Sequence, residues 1–146
     1  MDGCSRRERG RLEAVTATVE TSVLVRYFIG TPSEQAARAK RLLDGPGAYQ
    51  VTEVILVETS HVLRTLYKVP REVIVDSLID LVRKENISVS ALSKGQLVEA
   101  LLLCRPSGRI SIPDALTWAQ AIASRSETIY TFDENFPSDG VVVRAP

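Results

Sequence analysis

A chain of 146 residues, 45% hydrophobic and 25% charged, has the size and composition of one ordinary folded domain, which excludes a disordered or low-complexity protein. The 18 basic and 18 acidic residues cancel, so no global field announces or repels nucleic acid, and any charge-based function has to be local. Cys4 and Cys104 make neither a disulfide framework nor a CxxC metal pair. The longest apolar run, Ala100 to Cys104, is too short to span a bilayer. The expectation is a reduced, cytoplasmic protein without membrane contact.

Residues 1–13 carry four Arg, three acids and little apolar material, and read as a flexible N-terminal extension before a domain over 14–146. Val15 to Val19 favours a strand. Ser22 to Ile29 is apolar at helical spacing with Thr21 or Ser22 as cap, which leaves Glu20 where the strand ends. Thr31-Pro32-Ser33-Glu34 reads as a capping box with Pro at the first helical position, opening a helix that runs to Asp44 and stops at Gly45. A short strand at Tyr49 to Val51 leads through Thr52 into a helix from Glu53 to Lys68, and Pro70 opens another that ends near Lys84. Ile87 to Val89 is a strand, and Ser93 with Gln96 caps a helix carrying Leu97 to Cys104. After the turn at 105–108, Ser111 and Asp114 start a helix reaching Arg125, and Thr128 to Thr131 and Val141 to Val143 close the chain as strands. Strands alternating with helices or helix pairs predict an α/β fold with a mainly parallel central sheet between helical layers.

Much chemistry is absent. The single histidine, His61, cannot build an imidazole zinc site or a paired-imidazole mechanism, and reads as a residue of a polar helix face. Neither GxGxxG nor GxxxxGK[ST] occurs. Carboxylates remain. On the Glu53 to Lys68 helix, Glu53, Ser60, Arg64 and Lys68 gather on one side, which turns Glu58 toward the core between Val54 and Val62, where a carboxylate needs an ion pair or a cation. Glu20 stands at a strand's carboxyl end, Asp114 in a first helical turn and Asp133 just beyond a strand. Each has a plain structural explanation of its own, as a dipole-complementing acid, a capping residue or a turn former. In a parallel sheet the four can nevertheless converge at one edge, and clustered carboxylates are resolved by a hard divalent cation such as Mg²⁺ or Mn²⁺, a setting for phosphodiester hydrolysis.

Val19-Glu20-Thr21-Ser22, Val57-Glu58-Thr59-Ser60, Ile112-Pro113-Asp114-Ala115-Leu116 and Thr131-Phe132-Asp133-Glu134-Asn135-Phe136 together resemble the four acidic motifs of PIN-domain ribonucleases, above all the VapC toxins of bacterial toxin–antitoxin pairs. The resemblance spans Val15 to the C-terminus and implies a three-layer α/β/α PIN-like fold. It also implies that Glu20, Glu58, Asp114 and Asp133 are the catalytic acids around Mg²⁺ (Mn²⁺ as the alternative), with Ser22 and Thr131 orienting carboxylates or water. One departure is Glu20, where the family usually has Asp; the extra methylene shifts the carboxylate by about a bond length against an ion that demands near-octahedral geometry. Relatives of this kind are Mg²⁺-dependent endoribonucleases that cut structured RNA such as tRNA or rRNA, act as homodimers and are blocked by a small antitoxin protein.

Glu20 also motivates a second reading, a non-catalytic PIN-like module that binds a partner or RNA. A third, a receiver-type acidic pocket, needs a lysine at a late strand end, and Thr131-Phe132-Asp133 supplies none. With four acids committed to metal and residues 1–13 set aside, the remaining domain carries a small positive excess, and Arg26, Arg64 and Lys68 are its candidate RNA contacts.

Overall fold

The computed structural model describes residues 17–146, so the reading of residues 1–13 as an extension, the start of the first strand and Cys4 lie outside the described residues. Five strands and six helices alternate: β1 (Ala17–Thr18), α1 (Thr21–Ile29), α2 (Ser33–Leu43), β2 (Tyr49–Val51), α3 (Glu53–Thr65), α4 (Arg71–Val82), β3 (Ile87–Val89), α5 (Lys94–Cys104), α6 (Ile112–Ala123), β4 (Thr128–Tyr130) and β5 (Val142–Arg144). All strand pairing among the described residues is parallel. β2 lies between β1 and β3, with Tyr49 opposite Ala17 on one side and Ile87 on the other. β4 and β5 form a second pair, with Ile129 opposite Val143. Parallel neighbours need crossovers, and here each crossover within the first sheet is a helix pair.

The helices begin and end for local reasons. Thr52 and Ser111 accept from the backbone N–H groups of Ile55 and Asp114, and Ser93 with Gln96 closes a reciprocal capping box. Gly30 ends α1 in the left-handed region at φ 77, where a side chain would be strained. Two of the boundaries that differ from the sequence reading have a clear local reason. The Thr31–Glu34 box does not form, because the helix starts one residue later than expected: Pro32 stands at the N-cap and offers no side-chain acceptor. α3 stops at Thr65 rather than Lys68, because Lys68 takes a positive φ of 54 and Val69 N–H turns back onto the Leu63 carbonyl 3.0 Å away.

The core is apolar and continuous. Val51 of β2, Leu56 and Leu63 of α3, Val75 and Leu78 of α4, and Leu97 and Leu101 of α5 are fully enclosed. α3 packs against α1, α4 and α6, so it is the element through which the first and third acidic segments are related. Among the described residues no helix is long and apolar enough to cross a membrane.

Candidate active site

Glu20 follows β1 in extended backbone, φ −100 and ψ 175, and is the N-cap of α1 in place of the expected Thr21 or Ser22. Its Oε1 accepts from Ser22 N at 2.7 Å and from the Ser22 hydroxyl. The hydroxyl and then the N–H of Ser22 hold the carboxyl below the usual range, because both favour its charged form. Thr21, buried beside it, donates from Oγ1 to Glu58 Oε2 at 3.0 Å, across 37 residues of chain. In the sequence Thr21 reads as a candidate helix cap and not as a partner of Glu58. The available signal was the echo of Val-Glu-Thr-Ser at 19–22 and 57–60; the second threonine, Thr59, is fully buried, and its Oγ1 has no hydrogen-bond partner among the described residues.

The expected face of α3 is corrected. Glu58 is exposed and held toward α1, whereas Glu53 and Ser60, expected on the polar side, are buried. The buried stripe is Glu53, Leu56, Ser60 and Leu63, a 3-4-3 spacing that rolls the helix away from Val54, which is 75% exposed. Glu53 tolerates burial because Ser90 Oγ donates to its Oε2, and Ala91 N and Leu92 N each donate to its Oε1 at 2.9 Å. Burial alone would raise its pKa; these donors, Ser90 foremost, outweigh it and leave the value lowered.

Asp114 is half-buried in the first turn of α6, its N–H bonded to Ser111 Oγ at 3.1 Å. Its charge reaches Cys104, whose thiol is pushed up to about 11 by burial first, with Arg71 drawing it down and Asp114 adding to the rise. Asp133 is exposed in a turn of its own. Its Oδ1 accepts from Asn135 N at 2.9 Å, and Thr131 Oγ1 accepts from Asp133 N at 3.0 Å. The structure therefore joins Glu20 and Glu58 through Thr21 and leaves Asp114 and Asp133 in separate local turns. Among the described residues no three Asp, Glu, His or Cys side chains converge closely enough to hold an ion. The donor chemistry, carboxylate and hydroxyl oxygen, suits a hard cation, although no three carboxylates come together among the described residues.

The candidate cations have different settings. Arg26 donates from Nε to Gln35 Oε1 at 2.9 Å and from Nη1 to the Tyr67 hydroxyl at 2.8 Å, tying α1 to α2 and to the turn after α3. Lys68 is exposed in that turn. Arg64, also exposed, lines a cleft of about 200 Å³ between α3, α4 and the start of α6.

Glu20 stands at a strand end, Asp114 in a first helical turn, Asp133 just past a strand and Glu58 in the middle of α3; the strands pair in parallel, and the three-stranded sheet is crossed by helix pairs. The PIN domain family model matches residues 17–138, and the chain belongs to that family. No curated protein matches the chain. Among solved structures it is similar to the crystal structure of Mycobacterium tuberculosis VapC20, a sarcin-ricin loop cleaving toxin, at 22% identity and a TM-score of 0.42, over 90% of this chain and 100% of that one.

Proposed function

We propose that this chain is a metal-dependent endoribonuclease toxin of the VapC kind, acting in the cytoplasm on structured RNA such as tRNA or rRNA and neutralised by a small antitoxin protein. Membership of the PIN domain family over residues 17–138 carries the reading. The Thr21 to Glu58 hydrogen bond supports it locally, because it holds the first and second acidic segments against one another. Glu20, Glu58, Asp114 and Asp133 are the proposed catalytic acids and Mg²⁺ ligands, with Mn²⁺ as a substitute and Ser22 and Thr131 as their hydroxyl-bearing supports. A bound ion of this kind supplies an activated water and neutralises phosphodiester charge. Arg26, Arg64 and Lys68 are the proposed RNA contacts, and a homodimer is the proposed working form. The chain's own part is electrostatic: Ser22 keeps Glu20 ionised, and Thr21 orients the Glu58 carboxylate.

The test is cleavage of tRNA and rRNA by the purified full chain. Activity with Mg²⁺ that stops on chelation, returns with Mn²⁺ and is lost in Glu58→Gln is the expected result. Cleavage indifferent to metal and to that substitution sinks the reading. The second reading, a non-catalytic PIN-like module, is favoured by one observation, the Glu20 side chain engaged as a helix cap. It predicts no cleavage even in Glu20→Asp, with RNA or partner binding retained.

A further inference from the structure

The cleft between α3, α4 and α6 holds charge that the proposed acids do not account for. His61 and Arg64 reach it from α3 and Arg71 from the first turn of α4, while Ser111 closes it from the N-cap of α6. Its floor is apolar, formed by Val57, Ile74 and Ile112. The ion pairs among the described residues are Lys84 with Asp44 and Arg105 with Asp76, so neither cleft arginine, Arg64 or Arg71, is paired with a carboxylate among them. Unpaired like charges gathered in one concavity repel, and an anion seated there relieves the repulsion.

Arg71 is placed for this. Its Nη1 donates to the carbonyls of Cys104 at 3.3 Å and Ile110 at 3.4 Å, which fixes the guanidinium while most of its donors stay unused. The turn after α5 comes close to it: a Cβ on Gly108 would stand 3.2 Å from Arg71 Nη2. Ser111 accepts from Asp114 N at 3.1 Å, and its hydroxyl proton is left for another acceptor. At about 200 Å³ the cleft has room for a phosphate group. It also adjoins the proposed acids along the chain, since Glu58 follows Val57 and Asp114 follows Pro113.

We infer that this cleft is a backbone subsite for RNA, in which Arg64, Arg71, His61 and the Ser111 hydroxyl hold a phosphodiester flanking the one presented to the acids. The inference rests on the ribonuclease reading for the identity of its ligand. Arginine forks suit phosphate oxygens, and the apolar floor leaves space for the attached ribose.

His61 is the chain's one histidine, so its imidazole proton resonances report the cleft without ambiguity. The experiment titrates the full chain, in chelator so that nothing is cut, with a short single-stranded oligoribonucleotide, inorganic phosphate and oligoglutamate. The expected result is a saturable movement of the His61 resonance with the oligoribonucleotide and a weaker one with phosphate. Arg64→Gln, an exposed substitution, is expected to weaken the oligoribonucleotide response about tenfold, the size of one charge-assisted contact. An unmoved His61, or an Arg64→Gln chain that binds as well as the parent, overturns the subsite. Oligoglutamate moving His61 as strongly as RNA overturns the RNA assignment. Because cleavage is not read, an inert His61 in a chain that cuts RNA defeats this inference alone, whereas a saturable His61 in a chain that never cuts supports the subsite and defeats only the nuclease reading.

Discussion

Removing the Glu53 carboxylate should destabilise the platform that carries Glu58 and the basic cleft. In Glu53→Ala three donors lose their acceptor: the hydroxyl of Ser90 and the N–H groups of Ala91 and Leu92. A buried donor left unsatisfied costs about 1–3 kcal/mol. Leu92 is buried, whereas Ser90 and Ala91 are exposed, so water recovers part of the loss at those two and the sum comes to about 2–4 kcal/mol. Set against a typical stability of about 5–15 kcal/mol, that is a large fraction. Glu53→Gln keeps one oxygen for the two N–H groups and is expected to cost about 1 kcal/mol. The assay is urea unfolding, in which the midpoint should fall by about 1–2 M for Glu53→Ala if the slope is about 2 kcal/mol/M. The sign with pH follows from the lowered pKa: the carboxylate's contribution is complete above the ordinary glutamate value of 4.5 and is lost as pH falls through the depressed folded value. The gap between parent and Glu53→Gln should therefore be widest near neutrality and close in acid. A Glu53→Ala midpoint within about 0.3 M of the parent, or a gap that widens in acid, refutes this reasoning.

Ser22→Ala removes the hydroxyl that most depresses Glu20, so the Glu20 carboxyl should titrate at a higher pH in a ¹³C NMR titration than in the parent; an unchanged midpoint counts against the cap geometry. Gly30→Ala tests the left-handed end of α1, where φ is 77 and an added Cβ meets nothing within 4 Å. The cost is then backbone strain alone, about 1–2 kcal/mol by chemical denaturation, and a neutral or stabilising result contradicts it.

The βα alternation was legible in the sequence because capping residues punctuate it. Thr52, Ser93 and Ser111 mark helix starts by hydrogen bonds whose partners lie three residues on, so a local pattern suffices. The end of α3 was not legible, because Lys68 in the left-handed region is an uncommon conformation for a side-chain-bearing residue. The roll of α3 was misread for a tertiary reason. Glu53 looks like a solvent residue until Ser90, Ala91 and Leu92, nearly forty residues away, are seen to satisfy it. Of the candidate site, the placement of Glu20 at a strand end and Asp114 in a first turn could be read from the chain, but the Thr21 bridge to Glu58 could not. Short-range patterns place residues on elements; only the packing of α1 on α3 decides which side chains meet.

Glu20, Glu58, Asp114 and Asp133 are proposed to take a divalent ion, while among the described residues no three His, Cys, Asp or Glu side chains form a group that could hold one. Anomalous diffraction from crystals of the full chain soaked in Mn²⁺ locates any such ion. The expected result is a manganese peak within coordination distance of Glu20, Glu58, Asp114 and Asp133 that is absent in Asp114→Asn. Well-ordered acids with no peak among them, or a peak that survives Asp114→Asn unchanged, would contradict it.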